Sequence, residues 1–566
     1  KSLTFSRLKC ERNKRRFITL GTRPNIENAR VVRAPGEALE RATVIVRNGL
    51  IEAVGEDLAV PFDARRIAAD SLVVYAGFIS GLSHAGVEEP ETNGERQEVD
   101  DPGNPPDDRA GIQPDRQVRA LLDPSDDEVE ALRKVGFTTA HVVPKGRMLP
   151  GAGAVVQLAG DDPNAMVLRD DASLFAQFEG ARGVYPATPM AVIAKWRQLY
   201  REAERRQRLA ARYAENPRGT ERPPDDPVHR AFFPVINGAK PVFFHTENVL
   251  EMHRALALQE ELGFPLALAG LHEGFRAPDV LRQTRADLFL SLDLPDEEAW
   301  TPPDDTAEAD APPDPERFYL RDFRARSHAD ADDEIENLKA RQAIEREAYY
   351  RNAATLHEAG VRFAFSTLDV EADDVRDHLR TMIEFGLPED AALAALTTRP
   401  AAMLGLDQQL GTVEEGKIAN LVVTNGSYFA EDTRVRYVFV DGVPFEIDEA
   451  PPASEEEDDE DAADPVGVWR YTVSTPQGED VGTLTISGDP DSLKGTIASE
   501  VSGEETELED VALDGARLSF AFDAGAPGLA SVAATIRGDE MEGSIDHPEF
   551  GTAPFSATRT SDDPSR

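Results

Sequence analysis

Short apolar runs alternate with amphipathic segments through the long middle of this chain, from about residue 75 to residue 400. The amphipathic segments include residues 248–263 and 334–360. Alternation of this kind is typical of parallel β/α units, whose strands are buried on both faces. Over this length it predicts a distorted (β/α)8 TIM-like barrel, in which we can place seven strands but not the fourth. The runs are LVVYAGFIS (72–80), TTAHVVP (138–144), AVVQLAG (154–160), PVFFH (241–245), PLALAG (265–270), DLFLSLDL (287–294) and RFAFST (362–367).

Strand patterns with tight turns lie on both sides of this middle region. Residues 17–74 alternate apolar and polar side chains, and Asn48-Gly49 in ATVIVRNGLIEAVG (42–55) is a strong hairpin signal. Residues 405–447 return to short strands joined by hairpin turns. Both flanks are therefore predicted to be antiparallel β structure.

The C-terminal part of the chain has a different composition. The acidic block PPASEEEDDEDAAD (451–464) has nothing to bury and predicts a linker over residues 448–465. After it, residues 466–560 show short alternating strands with turn signals about every eight to twelve residues, which predicts a C-terminal all-β domain. Three other stretches are rich in Pro, Asp and Glu and are expected to be loops or disordered insertions, at 88–115, 215–227 and 295–315.

The chain is strongly acidic, with 105 Asp and Glu against 60 Lys and Arg and a net charge of -45. A protein that binds duplex nucleic acid needs a basic surface to neutralise phosphates, so that class is excluded. The charge is typical of a halophile-like surface, because strong salt screens the mutual repulsion of the carboxylates. In the alternative interpretation, much of the acidic excess lies in flexible linkers.

Cys10 is the only cysteine, which excludes an internal disulfide framework and a cysteine-based zinc site. No run of about 18 apolar residues is present, so we predict no transmembrane segment. We expect a cytoplasmic protein, while export stays open because the chain begins at Lys1 rather than Met. The sequence also leaves open whether the chain forms a homo-oligomer.

Three segments carry a resemblance to a known family. VVYAGFISGLSHAG (73–86) resembles the first barrel strand of the amidohydrolase superfamily, where Pro-Gly-Phe-Ile-Asp is followed by one residue and His-x-His. GLPEDAALAALTTRPAAMLGLDQQLGTVEEGKIANLVV (386–423) resembles the closing helix of that family and its return to a small domain. The opening strands resemble the first half of the same domain. The similarity covers about residues 20–447, and within the superfamily the chain resembles the imidazolonepropionase-like enzymes.

The resemblance implies both a fold and an activity. Residues 17–74 and 405–447 would together form one small β-sandwich domain beside a barrel of residues 75–404. Enzymes of the family hold one or two divalent metals at the C-terminal ends of barrel strands, where the metal activates water. We therefore expect a hydrolase of C–N bonds other than ordinary peptide bonds, acting on small molecules such as cyclic amides or dipeptide-like compounds.

The resemblance also implies the residues of the site. His84 follows the first strand, His245 ends the fifth and Asp369 follows the eighth, and these three would hold one divalent metal, zinc being expected. Asp369 would also be the catalytic base that takes a proton from the metal-bound water. Glu247 and His272 would contact the substrate.

The metal-ligand set of the family is incomplete in this chain. Leu82 occupies the first position of the His-x-His motif, and Ser80 replaces the Asp of the family. At the sixth strand Gly270 occupies the expected histidine position, and His272 comes two residues later. No lysine stands at an identifiable end of the fourth strand, so a site with two metals is not expected.

Simpler structural interpretations exist for the same residues. His84 is also explained as a structural histidine at the barrel mouth that was retained after the other metal-ligating residues were lost. Asp369 is also explained as the start of an acidic helix N-terminus, with Leu368 as the alternative register at the eighth strand. For the whole chain, the competing hypothesis is a catalytically degenerate barrel that serves as a binding or scaffold module.

The segment PKGRMLPGAGAVVQLAG (144–160) has closely spaced glycines, but their spacing fits no phosphate loop. It predicts a tight loop between two strands near the barrel mouth. Lys145 and Arg147 are the cations beside it, and they suggest steering of an acidic substrate. His141, which alternates with apolar residues just before this loop, is expected to be buried.

Overall fold

The computed structural model divides the chain into two compact units, Lys1–Asp448 and Glu449–Arg566. Apart from Pro465, the predicted linker 448–465 lies outside the described residues, as does the predicted insertion after Pro295. The described residues are 23–56, 58, 64–88, 99–219, 221–295, 341–447, 465–475, 478–489, 492–499, 505–514, 517–523, 529–538, 540–547 and 551–561.

The first unit contains a small β domain made from both flanks of the barrel, as predicted. Its strands form one hydrogen-bonded sheet in the order β16-β15-β14-β5-β1-β2-β3, with β4 paired to β1. The prediction of purely antiparallel structure is wrong for the first flank, because β1 pairs in parallel with both β4 and β5. The turn between β2 and β3 is at Asn48-Gly49, where both residues have positive φ, which confirms the hairpin signal. The strands are β1 (Arg23–Ala34), β2 (Glu37–Arg47), β3 (Leu50–Gly55), β4 (Ala64–Ala68), β5 (Val73–Ala76), β14 (Leu421–Thr424), β15 (Val435–Val440) and β16 (Val443–Glu446).

A second sheet of eight strands forms the predicted distorted barrel. Its strands follow the chain in order from β6 to β13, and all neighbours are parallel except that β8 is antiparallel to both β7 and β9. Residues 143–150 join β7 directly to β8, which confirms the predicted loop between two strands. The antiparallel direction of β8 departs from the predicted parallel β/α alternation. The strands are β6 (Phe78–Ser83), β7 (Phe137–Val142), β8 (Gly151–Gln157), β9 (Val167–Ala176), β10 (Val242–His245), β11 (Leu266–Leu271), β12 (Asp287–Ser291) and β13 (Ala364–Ser366).

The fourth strand, which the sequence left unassigned, is β9. Its sequence, VLRDDASLFA, has three charged residues in its first half and becomes fully buried only over its last five positions. The charged half includes Asp171, which has a positive φ and forms an ion pair with Lys240. Because only half of β9 is apolar, it does not stand out in the sequence as a buried run.

The first and last barrel strands are joined through backbone and hydroxyl groups, which we call the closing seam. The Thr367 N–H donates to the Leu82 carbonyl at 3.0 Å, and the Ser366 hydroxyl donates to the same carbonyl at 3.1 Å. The hydroxyl oxygens of Ser80 and Thr367 lie 2.8 Å apart. Ser80, which replaces the Asp of the family, therefore stabilises barrel closure.

Apolar side chains fill the interior of the barrel. Phe243 on β10 and Phe289 on β12 stack with their ring centroids 5.3 Å apart. Leu82 and Leu368 belong to the same buried cluster and are almost completely inaccessible to solvent. The barrel is therefore a packed core and not a pore.

His141 is buried inside the barrel, as its alternation with apolar residues predicted. Its Nδ1 lies 3.1 Å from the carbonyl oxygen of Gly81, which can only accept, so Nδ1 carries the proton. Its Nε2 therefore accepts from the Ser173 hydroxyl at 2.8 Å. Both ring nitrogens are satisfied, which is the arrangement of a structural histidine.

Helices cover the outside of the barrel. Helix α6 shows why they form where they do: Asn248 accepts the Glu251 N–H at the start, and Gly263 ends the helix with φ of 81°. Residues 341–350 are also helical. No helix of the described residues is long and apolar enough to cross a bilayer. The helices are α1 (Asp127–Lys134), α2 (Pro163–Met166), α3 (Pro189–Glu215), α4 (Pro227–Ala231), α5 (Phe233–Ile236), α6 (Val249–Leu262), α7 (Pro278–Gln283), α8 (Asn352–Glu358), α9 (Val375–Glu384), α10 (Glu389–Leu396) and α11 (Thr398–Met403), with 3-10 turns at Val118–Ala120 and Gly274–Arg276.

The second unit is the predicted C-terminal all-β domain, a closed antiparallel barrel in which each strand pairs with the next and β24 pairs with β17. Its aromatic residues form a core: Trp469 is fully buried, and its indole N–H donates to the Pro465 carbonyl at 3.0 Å. The strands are β17 (Gly467–Thr475), β18 (Gly478–Asp489), β19 (Ser492–Ser499), β20 (Glu505–Asp514), β21 (Arg517–Asp523), β22 (Leu529–Arg537), β23 (Glu540–His547) and β24 (Gly551–Ser561).

Candidate active site at the barrel mouth

A cavity of about 680 Å³ opens at the C-terminal ends of the parallel barrel strands, and we call it the mouth cavity. Residues that follow β6, β7, β9, β10 and β13 line it, together with the first turns of α1 and α6. Barrel enzymes place their active sites at this end. The volume falls in the range of small-molecule sites, about 300–1,000 Å³.

His84 and His245, which are far apart in the sequence, both line the mouth cavity. Nδ1 of His84 lies 2.8 Å from the carbonyl oxygen of Val143 and therefore donates to it, which leaves Nε2 as an acceptor. Burial lowers the pKa of His84 to about 4, and the nearby Lys145 and His245 contribute to this lowering. His84 is therefore a neutral imidazole at pH 7.

His245 is the last residue of β10 and is only 9% exposed. Its Nε2 atom is buried and has no hydrogen-bond partner among the described residues. Asp369 approaches this atom with its Oδ2 at 3.6 Å, a separation too long for a hydrogen bond. Burial lowers the pKa of His245, while the charges of Asp369 and Glu247 oppose that effect.

Gly270 makes room for the His245 ring. It lies in a bulge of β11 with φ of 76°, and a Cβ added there would lie 2.6 Å from Nε2 of His245. Any side chain at this position would displace the imidazole. Gly270, which stands where the family has a histidine, therefore provides the space that the His245 ring occupies.

At the eighth strand, Leu368 and Asp369 have different environments. Leu368 is buried in the barrel interior, whereas the Asp369 side chain is 52% exposed and lines the mouth cavity. Asp369 has φ of 67°, which is uncommon for a residue other than glycine and is often found at functional sites. The inward position at this strand end is therefore apolar, and the carboxylate reaches the cavity from the rim.

The two residues that we expected to contact substrate are separated. Glu247 lines the mouth cavity. The His272 backbone N–H donates to the Glu247 carbonyl at 3.0 Å, but its side chain lines a different, small pocket with Ser291 and Tyr349. The structure therefore places His272 outside the mouth cavity.

Two further residues of the mouth cavity, Gln177 and Glu179, follow β9 and were missed because that strand was not recognised. The Gln177 side-chain amide donates to the Gly146 carbonyl. Glu179 forms an ion pair with Arg147 at 2.6 Å. Gln177 lies at the strand end where the family would place a lysine. The sequence signal that could have identified this strand is the apolar run SLFA at the end of β9.

The donors around the mouth cavity do not form a metal cage. Among the described residues, no three His, Cys, Asp or Glu side chains come together as they would around a metal ion. His245 and Asp369 are adjacent, but the inward positions beside them are Leu82 and Leu368, which have no lone pairs to donate. The residues present therefore do not fit the divalent metal that the resemblance implied.

Comparisons with known proteins agree with this architecture. Residues 331–444 match the sequence model of the amidohydrolase family. An amidohydrolase from Thermotoga maritima MSB8 has a similar structure, with a TM-score of 0.58 and 21% identity over 75% of this chain and 100% of that chain. A prolidase complexed with N-methylphosphonate-L-proline is less similar, with a TM-score of 0.43 and 17% identity over 75% of this chain and 100% of that chain. An adenosine deaminase from Xanthomonas campestris with bound zinc has a TM-score of 0.32 and 15% identity, over 75% of this chain and 92% of that chain.

No curated protein sequence matches the chain. The family match covers the end of the barrel and the return to the small domain, from residue 331 to residue 444. Among the three structures, only the Thermotoga protein is similar enough to support a shared fold. The resemblance to the amidohydrolase superfamily is thus confirmed, with a sequence match over residues 331–444 and a similar fold over 75% of the chain, and the metal-ligand set is incomplete among the described residues.

Proposed function

We propose that this protein hydrolyses C–N bonds of small molecules in the mouth cavity, with His245 and Asp369 as the reacting pair. The observation that carries the proposal is the buried Nε2 atom of His245, which has no hydrogen-bond partner among the described residues. A buried polar atom without a partner costs free energy, so such an atom is expected to bind a ligand or water. The family match supports hydrolysis as the reaction class.

The geometry supports a simple proton-transfer scheme. Because Oδ2 of Asp369 and Nε2 of His245 are 3.6 Å apart, one water can contact both atoms at about 2.8 Å. The Asp369 carboxylate takes a proton as this water attacks the carbonyl carbon of the substrate. A C–O bond forms, the C–N bond breaks, and the proton passes to the departing nitrogen. His84, which is neutral at pH 7, offers Nε2 as an acceptor for a substrate N–H.

The expected zinc ion on His84, His245 and Asp369 has no step in this scheme, because three donors do not converge among the described residues. A metal at this site stays a prediction of the resemblance, and metal analysis of the purified protein tests it. If the protein retains less than about a tenth of an equivalent of zinc after reconstitution, the predicted metal site is wrong.

Amide hydrolysis is tested on a panel of cyclic amides and dipeptide-like compounds, with and without a chelator. We expect Asp369→Asn to lower kcat/KM by about 100-fold, the usual range for a group that transfers a proton. We expect His245→Gln to lower kcat/KM as well, because the attacking water loses its contact with Nε2. His253→Gln is the matched control, because His253 is an exposed histidine on α6. Full activity in either cavity variant, or no hydrolysis of any compound by the unaltered protein, would overturn the proposal.

A second candidate is a degenerate barrel that binds ligands without chemistry. It is favoured by Leu82 and Leu368, two buried apolar residues at strand ends where the family has polar ligands. In that case the mouth cavity binds small molecules and releases them unchanged. Turnover of a bound amide by the unaltered protein distinguishes the enzyme from this binding module.

A further inference from the structure

The mouth cavity has an unusual balance of charge. Within the part of the chain that the structure describes, six carboxylates line it, and Lys145 is the single lysine or arginine among the lining residues. The carboxylates are Glu128, Glu179, Glu247, Glu251, Asp369 and Glu371.

Most of these carboxylates have no positive partner. Glu179 is paired with Arg147, and the Oδ2 atom of Asp369 lies 3.6 Å from Nε2 of His245. Within the described part of the chain, Glu128, Glu247 and Glu371 form no ion pair. On the outer surface, by contrast, Glu261 contacts both Arg197 and Arg201 at 2.6 Å. Lys145 is near enough to oppose the rise in the pKa of Glu128, but one lysine leaves most of the negative charge in the cavity uncompensated.

The cations that suggested an acidic substrate do not supply that function. Arg147 donates to Glu179 at 2.6 Å and to the Gly180 carbonyl at 2.8 Å, so its guanidinium is already engaged. Lys145 lines the cavity, but the lining carboxylates outnumber it. The electrostatic field at the mouth therefore attracts cations and repels anions.

The environment of these groups favours a bound cation. Burial raises the pKa of Glu128, and burial together with the Glu247 charge raises the pKa of Glu251. A raised carboxyl pKa shows that the charged form is less stable there than in water, and a neighbouring positive charge reverses this effect. The unpartnered Nε2 of His245 is an independent sign of a ligand, because the acidity of the whole chain does not explain it.

We propose that the mouth cavity takes an amide that also carries a positively charged amino or guanidinium group. The unpaired carboxylates hold the positive group, and the C–N bond that is cleaved lies against His245 and Asp369. This inference rests on the proposed hydrolase function and names the substrate class of the same site. In this proposal the positive charge belongs to the substrate. The carboxylates of the mouth cavity select the substrate, and His245 and Asp369 carry out the hydrolysis.

The test compares two ligands of nearly the same shape, N-acetyl-arginine amide and N-acetyl-citrulline amide, which differ in the charge of the side chain. Their affinities for the full-length protein are measured by calorimetry, and each recovered ligand is checked for cleavage. We expect the arginine compound to bind about ten-fold more tightly at low salt, with the difference falling as KCl screens the charges.

Three variants assign the effect to the cavity. Glu128→Gln and Glu371→Gln should each reduce the preference for the arginine compound by about three-fold, because each removes one negative charge near the ligand. Glu384→Gln removes the same charge from the exposed end of α9, outside the cavity, and should leave the preference unchanged.

Several results would overturn the inference. They are equal affinity for the two compounds, no binding of the arginine compound, or tighter binding of N-acetyl-glutamate amide. Displacement of the arginine compound by Mg²⁺ alone, lost in the two cavity variants, would instead assign the carboxylates to a metal ion. Equal cleavage of both compounds would keep the hydrolase function and remove the charge preference. Selective binding of the arginine compound without cleavage of any amide would keep the charge preference and remove the hydrolase function.

Discussion

The Nε2 atom of His245 and the Oδ2 atom of Asp369 lie 3.6 Å apart, although the two residues lie at the ends of strands that are not neighbours in the barrel. Strands β11 and β12 separate β10 from β13, so the two side chains meet across the barrel mouth. Asp369 reaches His245 from a backbone position with φ of 67°. The pair thus depends on closure of the barrel and on the local turn after β13.

The first prediction concerns the space beneath the His245 ring. In Gly270→Ala the new Cβ would lie 2.6 Å from Nε2, so the ring must move. Because a displacement of about 1 Å can cost about 100-fold in rate, we expect a loss of that order in kcat/KM. Gly263→Ala is the control: Gly263 also has positive φ, with no atom within 4 Å of the added Cβ.

Both glycine variants should lose about 1–2 kcal/mol of unfolding free energy from backbone strain, measured by urea denaturation. Only Gly270→Ala should also lose activity. Equal activity in the two variants would show that the position of the imidazole does not matter for the reaction.

The second prediction concerns the missing ligand at the first strand. Leu82→His adds an imidazole at the position where the family has one, and it should raise zinc affinity by about ten-fold or more, measured by metal titration. Leu82→Asn makes a similar change in polarity without the imidazole and serves as the control. If the unaltered protein already binds one equivalent of zinc tightly, the set of donors described above is wrong.

The third prediction is a pH dependence of stability. Burial lowers the pKa of His141 to about 4 in the folded protein, whereas the ordinary value is 6.5. Between these pH values the unfolded chain binds a proton that the folded chain does not. The free energy of unfolding therefore falls as the pH falls from about 6.5 to about 4, by up to about 3 kcal/mol from this residue.

The measurement is urea unfolding of the unaltered protein and of His141→Gln across this pH range. The variant should be less stable at pH 7, because it disturbs the contacts with Gly81 and Ser173, but its stability should fall less steeply with pH. His253→Gln, on the exposed face of α6, is the control. An unchanged slope in His141→Gln would contradict the assignment.

The fourth prediction concerns the closing seam. Thr367→Val removes the hydroxyl that lies 2.8 Å from the Ser80 oxygen while keeping the shape of the side chain. We expect a loss of about 1 kcal/mol of unfolding free energy, because one buried hydrogen bond is removed while the Ser80 hydroxyl keeps its contact with the Leu82 carbonyl at 2.9 Å. Thr355→Val on α8 is the control for the same chemical change away from the seam. Equal unfolding free energies of the two variants would show that the hydroxyl contact at the closing seam does not stabilise the barrel.

The fifth prediction concerns the net charge of -45. If the folded surface is adapted to salt, unfolding free energy should rise between about 0.1 M and about 2 M KCl as screening reduces repulsion. The same titration is made on a variant in which the acidic residues of the 451–464 block are replaced by Asn and Gln. Equal stability at all salt concentrations would contradict the halophile-like interpretation, and loss of the effect in the variant would favour the linker interpretation.

Local patterns in the sequence were enough to predict much of the fold. The apolar alternation identified seven barrel strands, Asn48-Gly49 identified the first hairpin, and residues 248–263 were recognised as the segment that contains α6. These features depend on neighbours in the chain, since strand and helix periodicity, turns and caps are all local. The placement of His84 and His245 at strand ends is local in the same sense, because each follows directly on an apolar run.

Contacts between distant segments determined the rest of the site. The sequence could not show that Gly270 lies beneath His245, that Leu368 takes the inward position while Asp369 reaches the cavity, or that Glu128 and Glu371 share its wall. It also could not show β8 running antiparallel, because periodicity is the same for either strand direction. Such features arise from the packing of strands around a closed barrel, where side chains far apart in the chain compete for the same space.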